Sequence, residues 1–383
     1  MKKYDIIVVG AGPAGLCFAG HITNKNVLVI DRKHELGRPV KSSAGTFTDT
    51  LIDFGLEDAV RHSSNGFRII LGNGFTRGFH YEKPVLHTLD FPRMIEILSE
   101  RARNNCEIIH PASVEKVTIK NGTIDSIEIE DTTFKADLFI DASGETRALL
   151  KHLAPLYYQK QWLAYGLEYE AAGLDMNADH FDFFFGNTII PEGYAWIFPT
   201  GTTTARIGLG KLVYGKGGTK KVNLKAALHD FISSGIISVM NFNENNITET
   251  HGGTMTYYKP LKNPSFNNCF VIGDASSQSS CFLGEGIRFS LMSARKLAIA
   301  LNSHDIETTR MHYQNYISNM TRYFNICMIF LHFYKLAPDR AIHALMKALT
   351  DYDNANMLRI LRSEFKRTDF ARLLYTVPKN AIL

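Results

Sequence analysis

Tyr4–Asp31, YDIIVVGAGPAGLCFAGHITNKNVLVID, decides the fold. Tyr4–Val9 is an apolar, β-branched run, Gly10-Ala11-Gly12-Pro13-Ala14-Gly15 is a turn, and Val27–Ile30 is a second strand ending at Asp31. Strand, turn, helix and strand make one βαβ unit. A GxGxxG turn at a helix mouth gives each glycine a steric task. Gly10 permits the tight turn, Gly12 lets backbone approach a pyrophosphate, and Gly15 lets helix pack on strand. Pro13 and Ala14 open the helix, whose N–H donors and partial positive charge favour a diphosphate. Asp31, with Arg32 beside it, sits where a carboxylate accepts hydrogen bonds from a ribose diol, which selects an unphosphorylated ribose as in FAD or NAD.

The rest of the chain separates those two dinucleotides. A nicotinamide enzyme would continue with parallel βαβ repeats, whereas here hairpins follow, among them one turning at Asn121-Gly122. Far downstream, Val271-Ile272-Gly273-Asp274-Ala275 is an apolar strand that delivers Asp274 to a helix mouth, placed for ribityl hydroxyls. Gly284-Glu285-Gly286-Ile287 brings a second helix N-terminus toward an isoalloxazine ring. The expected architecture is α/β, with a Rossmann-like FAD-binding domain, an antiparallel-sheet substrate domain and a small helical C-terminal part. Residues 1–65, 90–154 and 251–305 form the discontinuous FAD-binding domain, 66–89 and 155–250 the sheet domain, and 306–383 the helical part.

Composition agrees with an ordinary folded enzyme. The 383 residues are 45% hydrophobic and 21% charged, which excludes bulk disorder, and a net charge of +4 is too dilute to suggest nucleic acid. Five scattered cysteines without CxxC spacing fit a reducing compartment, and the N-terminal residues lack a secretory pattern. The expected location is cytoplasmic. Phe324–Tyr334 is too short for a membrane span; with Lys335, Arg340 and Lys347 it reads either as a surface touching a bilayer peripherally or as a buried helix. No HxxxH or HExxH pattern suggests a metal, and His80 and His87 read as surface residues.

Four segments together resemble the geranylgeranyl reductase family, FAD-dependent flavoproteins of the glutathione-reductase-like superfamily. They are the opening turn with Asp31, Gly37-Arg38-Pro39, Ile140-Asp141-Ala142-Ser143-Gly144, and Gly273-Asp274-Ala275 with its downstream glycine loop. Tyr194-Ala195-Trp196-Ile197-Phe198-Pro199, followed by Gly208-Leu209-Gly210, is similar to that family's YxWxFP…GxG signature. Alternate strand positions share a face, so Tyr194, Trp196 and Phe198 form one aromatic wall suited to an apolar chain, and the two glycines admit a close neighbour.

The resemblance implies an enzyme that saturates isolated prenyl double bonds, the reduced flavin giving a hydride to one carbon while a proton reaches the other. It implies that Ser42, Ser43 and Gly45 lie against the flavin, that Val114 meets the adenine, and that Gly144 borders the cofactor. Ser43 stands where several relatives carry a cysteine, so a thiol role is lost; Ser43 and Tyr194 are the candidates for moving the proton. Phe91 stands where relatives often carry a cofactor-binding arginine, and Arg93 is its candidate substitute. Tyr194, Trp196, Phe198, Pro199, Gly208 and Gly210 are the expected substrate wall. The partners implied are a prenylated lipid, diphosphate or quinone and an external electron donor, either NAD(P)H or a reduced carrier protein. The competing reading is an FAD-dependent aromatic monooxygenase or halogenase of the same fold, although the WxWxIP pattern of halogenases is absent.

Overall fold

The structure, a computed structural model, describes residues 2–159, 163–213, 223–237, 239, 241–256, 260–369 and 371–372. Lys2–Val9 lies at the centre of a parallel sheet, flanked by Thr132–Asp141 and Val27–Ile30, with Cys269–Val271 and Cys106–Ile109 beyond them. Unbroken apolar runs such as Ile6–Val9 suit strands covered on both faces. Ile6 and Val8 pack with Leu16 and Phe18 of the Pro13–His21 helix, with Met94 and Leu98 of the Phe91–Arg103 helix, and with Leu291 and Leu297 of the Ile287–Ser303 helix. Ile7 and Val9 face a separate core around Phe134 and Phe139.

A second, seven-stranded sheet runs in the order Ile247–Thr256, Leu163–Ala172, Thr204–Val213, Gly193–Pro199, His180–Phe185, Gly66–Leu71, Thr76–His80. It is antiparallel except where His180–Phe185 runs alongside Gly66–Leu71. The architecture is thus the expected α/β fold with an added antiparallel sheet. Ile247–Thr256 pairs with Leu163–Ala172 along nearly its whole length, so residues 251–256 lie in this sheet rather than with the nucleotide-binding part. Its His-Gly-Gly-Thr-Met-Thr run lacks the apolar alternation that marks a strand in sequence. Leu86–Leu89 joins Gly45–Phe47 and Val60–Ser64 in a small third sheet.

The long helix Ile306–Leu336 is capped by Asp305, whose carboxylate accepts from the Thr308 N–H at 2.9 Å. Tyr313, Ile317 and Phe324 enter the core beneath the parallel sheet, while Cys327, Met328 and Phe330 enter the core of the antiparallel sheet. This helix opens the expected helical C-terminal part and packs against both halves. Among the described residues no helix is long and apolar enough to cross a membrane. His87 corrects a sequence reading, being buried between the Thr48 and Ser63 hydroxyls, each 2.8 Å from a ring nitrogen. Burial lowers its pKa to about 4.

Candidate active site

One cavity of about 620 Å³ is walled by both sheets, in the range of cofactor clefts. Its first end is the glycine turn. Gly10 has φ +112°, and a Cβ there would lie 2.3 Å from the Ala142 carbonyl oxygen; a Cβ on Gly15 would lie 1.9 Å from the Gly10 oxygen. Those two glycines are demanded by packing, and Gly15 lies beneath the turn, off the cavity wall. Gly12 differs: a Cβ there meets nothing within 4 Å, because its α-carbon faces the cavity. Pro13 and Ala14 also line it, and no side chain caps the helix they begin, leaving first-turn N–H groups for a ligand. Asp31 accepts the Ala11 N–H at 2.7 Å and the Lys33 N–H at 2.9 Å, one per carboxylate oxygen, so each oxygen keeps acceptor capacity toward the cavity. Arg32, Val114 and Gly144 complete this end.

Asp141 shapes the turn that carries Gly144. One oxygen accepts from Ser143 N–H at 3.1 Å, and the other from Leu149 and Leu150 N–H at 2.9 and 2.7 Å. It is a scaffold residue, fully buried.

Ser42, Ser43 and Gly45 also line the cavity, as do Asp274, Gly284, Gly286 and Ile287. The helix beginning at Ile287 likewise has no side-chain cap. Burial raises the Asp274 carboxyl to about 6, opposed by a 2.5 Å hydrogen bond from the Ser279 hydroxyl. Two open helix N-termini, a carboxylate at each strand end and a glycine with free space fit an extended flavin nucleotide with its diphosphate at Gly12.

The far end is aromatic. Tyr194, Trp196 and Phe198 share one face of their strand, with ring centroids 5.4 and 6.1 Å apart. Phe181, Phe183 and Phe185 extend the wall from the neighbouring strand, the Phe181 and Phe198 rings being 4.6 Å apart. These three phenylalanines were legible as alternate positions in a strand, but only the strand pairing sets them beside Trp196. The opposite side is lined by Cys327, Phe330, Leu331 and Tyr334 of the long helix. The Tyr194 hydroxyl donates to the Leu283 carbonyl at 2.6 Å, and burial pushes its phenol far above the usual range. Tyr194 therefore braces the glycine loop.

Four expected residues lie off the cavity wall: Gly15, Arg93, Pro199 and Gly208. Phe91 and Ile95, one helical turn apart, face the cavity, which turns Arg93 outward to pair with Glu96 at 2.6 Å. The Pro199 carbonyl accepts from the Thr88 hydroxyl at 2.6 Å. At Gly208 the close neighbour is the Trp196 indole itself, since a Cβ would lie 2.6 Å from its ring atoms and from Glu168 Cβ. Gly210 does line the wall. Across the gap left by Gly208, the indole N–H donates to Glu168 Oε2 at 2.9 Å.

Glu168 belongs to a buried ionic row that no sequence proximity announces. His251 Nδ1 lies 3.0 Å from Glu168 Oε1, and its Nε2 lies 2.9 Å from Glu249 Oε2. Arg206, 2% exposed, donates to Glu170 at 3.0 Å and to the Ser43 carbonyl at 2.7 Å, fixing the Ser42–Gly45 loop. Arg61 reaches the other Glu170 oxygen at 2.5 Å. Among the described residues no group of side chains is arranged to hold a metal ion.

Comparison with known proteins bears out the resemblance drawn from these motifs. The model of the geranylgeranyl reductase catalytic domain matches residues 163–255, and that of the lycopene cyclase protein matches residues 5–186. The digeranylgeranylglycerophospholipid reductase 1 of Methanococcoides burtonii is 28% identical over 301 residues, 74% of this chain and 71% of its own. The digeranylgeranylglycerophospholipid reductase of Haloferax volcanii is 28% identical over 311 residues, 77% of this chain and 75% of its own. The crystal structure of a geranylgeranyl bacteriochlorophyll reductase-like protein from Thermoplasma acidophilum superposes with a TM-score of 0.84 at 18% identity, covering 100% of this chain and 98% of that one. A flavin-dependent brominase superposes with a TM-score of 0.64 at 13% identity, covering 96% and 100%. Together with the reductase family match, the flavin-dependent neighbour implies a flavin cofactor.

Proposed function

We propose that this geranylgeranyl reductase-like flavoprotein oxidoreductase holds FAD and saturates isolated double bonds in the geranylgeranyl chains of a glycerophospholipid. The observation that carries the reading is the continuity of the cavity from Gly12 to the aromatic wall, which lets one cleft hold a dinucleotide and an apolar chain end to end. Bound flavin, once reduced, supplies the hydride.

The protein's part is placement. An unconjugated alkene has no carbonyl to polarise, so catalysis rests on holding the double bond against the reactive ring. Burying the chain contributes about 0.8 kcal/mol per CH₂, enough for the aromatic wall to bind several isoprene units without charged contacts. Asp31 takes the ribose, Gly12 with the Pro13 helix takes the diphosphate, Asp274 the ribityl chain, and Ser42–Gly45 with Gly284–Ile287 border the ring. Ser43 hydrogen-bonds there without thiol chemistry. Electrons come from outside, from NAD(P)H or a reduced carrier protein.

Lipid reaches the cavity from a bilayer surface in this reading. Leu331 and Tyr334 line the cavity while Ile329, Phe333 and Leu336 of the same helix are exposed. Co-sedimentation with anionic vesicles tests that contact, and a Leu336→Glu variant that sediments equally well refutes it.

The main test is anaerobic. Photoreduced enzyme mixed with digeranylgeranyl glycerophospholipid is expected to recover its oxidised flavin spectrum and yield a saturated chain. Reoxidation only by oxygen together with an aromatic compound would instead identify a monooxygenase.

A further inference from the structure

We propose that Glu249, His251 and Glu168 form the route by which protons pass from solvent to the reacting alkene, with His251 standing as an imidazolium in the cavity wall. This rests on the prenyl reduction proposed above, which uses one proton for every double bond.

The geometry supports a doubly protonated ring. Both nitrogens lie within hydrogen-bond distance of carboxylate oxygens, 3.0 Å to Glu168 and 2.9 Å to Glu249, and an ionised carboxylate only accepts. Each nitrogen must therefore carry a hydrogen. Charge agrees: Glu168, Glu170 and Glu249 face Arg61 and Arg206, and an imidazolium supplies the third positive charge. Burial alone would lower the His251 pKa, and the two hydrogen-bonded carboxylates outweigh it and raise it. Arg206, beyond Glu168, acts in the lowering direction, and Lys41, another cation on the cavity wall, is paired with Glu145 at 3.8 Å.

The groups also span the right interval. The Glu249 side chain is 48% exposed, while His251 and Glu168 are buried and line the cavity. Strand pairing places His251 directly opposite Glu168, and Glu168 opposite Gly208. Trp196 occupies Oε2 of Glu168, so Oε1 is the oxygen that takes the His251 proton. The Tyr194 hydroxyl on the aromatic wall is committed to the Leu283 carbonyl, and that of Tyr334 to the Gly193 carbonyl at 2.8 Å.

The step balances. The π bond breaks, reduced flavin is oxidised as its hydride forms one C–H bond, and a proton relayed from His251 Nδ1–H through Glu168 Oε1 forms the other, so that Glu168 ends as the carboxylate it began. The ring is then neutral with its hydrogen on Nε2, and a ring flip turns the bare nitrogen to Glu249, which passes it a proton from water.

Three proteins test the route: the wild type, His251→Gln and Glu249→Gln, each loaded with flavin. Nitrogen-15 NMR of the wild-type histidine rings near neutral pH is expected to show one imidazolium that disappears in His251→Gln; a neutral His251 overturns the proposal. In anaerobic single turnovers with digeranylgeranyl glycerophospholipid, His251→Gln is expected to slow flavin reoxidation about a hundredfold, with an enlarged solvent isotope effect and a flattened pH profile. An unchanged rate and profile overturn it. Should His251→Gln fail to fold, Glu249→Gln decides. Its expected slowing is relieved by small buffer acids, and a wild-type rate without buffer dependence refutes the route. A wild type that folds, binds flavin and ignores the lipid fails the proposed function, and the route with it.

Discussion

Gly208→Ala isolates the reason for the paired glycines. Gly208 has no left-handed backbone requirement, so alanine meets no conformational penalty there; the cost is steric. The added Cβ would lie 2.6 Å from Cε2 and Cζ2 of Trp196 and from Glu168 Cβ. The indole must lift, breaking its 2.9 Å hydrogen bond to a buried carboxylate. Overpacking costs about 1–3 kcal/mol, and a lost hydrogen bond to a charged group about 1.5–3 kcal/mol, so a total of roughly 3–5 kcal/mol is expected. Gly210→Ala serves as the control, because its Cβ would approach Trp196 only to 3.4 Å. The sequence contains two tryptophans, so a Trp162→Phe background leaves Trp196 as the sole indole reporter. Denaturant unfolding and near-ultraviolet circular dichroism are the assays. The reasoning is refuted if Gly208→Ala matches Gly210→Ala in stability and leaves the Trp196 signal unchanged.

Gly12→Ala should fold like the wild type, since its Cβ meets nothing, yet weaken flavin binding by roughly tenfold or about 1.4 kcal/mol, whereas Gly10→Ala should not fold. Flavin fluorescence titration beside a thermal melt reads both. Asp274 has its folded pKa raised from 3.8 to about 6, so the stability it contributes is full below the lower value and lost as pH rises through the higher. Asp274→Asn should thus stabilise the flavin-free protein above pH 6 by about 2–3 kcal/mol while weakening flavin affinity; a melt showing no gain at alkaline pH contradicts this. His87 has the opposite sign. Its pKa is lowered from 6.5 to about 4, so stability is lost as pH falls across that interval, and His87→Gln should flatten the acid side of the melting profile.

The nucleotide half was legible because its signals are local. Gly10 to Asp31 states strand, turn, helix and strand within one short stretch, and Gly12 and Asp31 line the cavity as the motif implies. Arg93 misled because a charge in a helix's first turn says nothing about its azimuth; Phe91 and Ile95 set which face turns inward. Gly208 was noticed for the space it leaves, but what fills that space follows from strand register. The ionic row was hidden for the same reason. Arg61, Glu168, Arg206 and His251 come from separate strands, and none has a sequence neighbour that marks it. The Ile306–Leu336 helix was legible as the start of the helical C-terminal part, but not what it packs against, because its apolar residues serve two cores at once.

The central claim is that one cavity seats a flavin and a prenyl chain in contact. A crystal structure of the flavin-loaded protein with digeranylgeranyl glycerophospholipid tests it most directly. The account predicts the diphosphate at Gly12, the ring between Ser42–Gly45 and Gly284–Ile287, and a chain double bond against the ring beside Trp196. A flavin bound elsewhere, or a chain lying outside the aromatic wall, would contradict it.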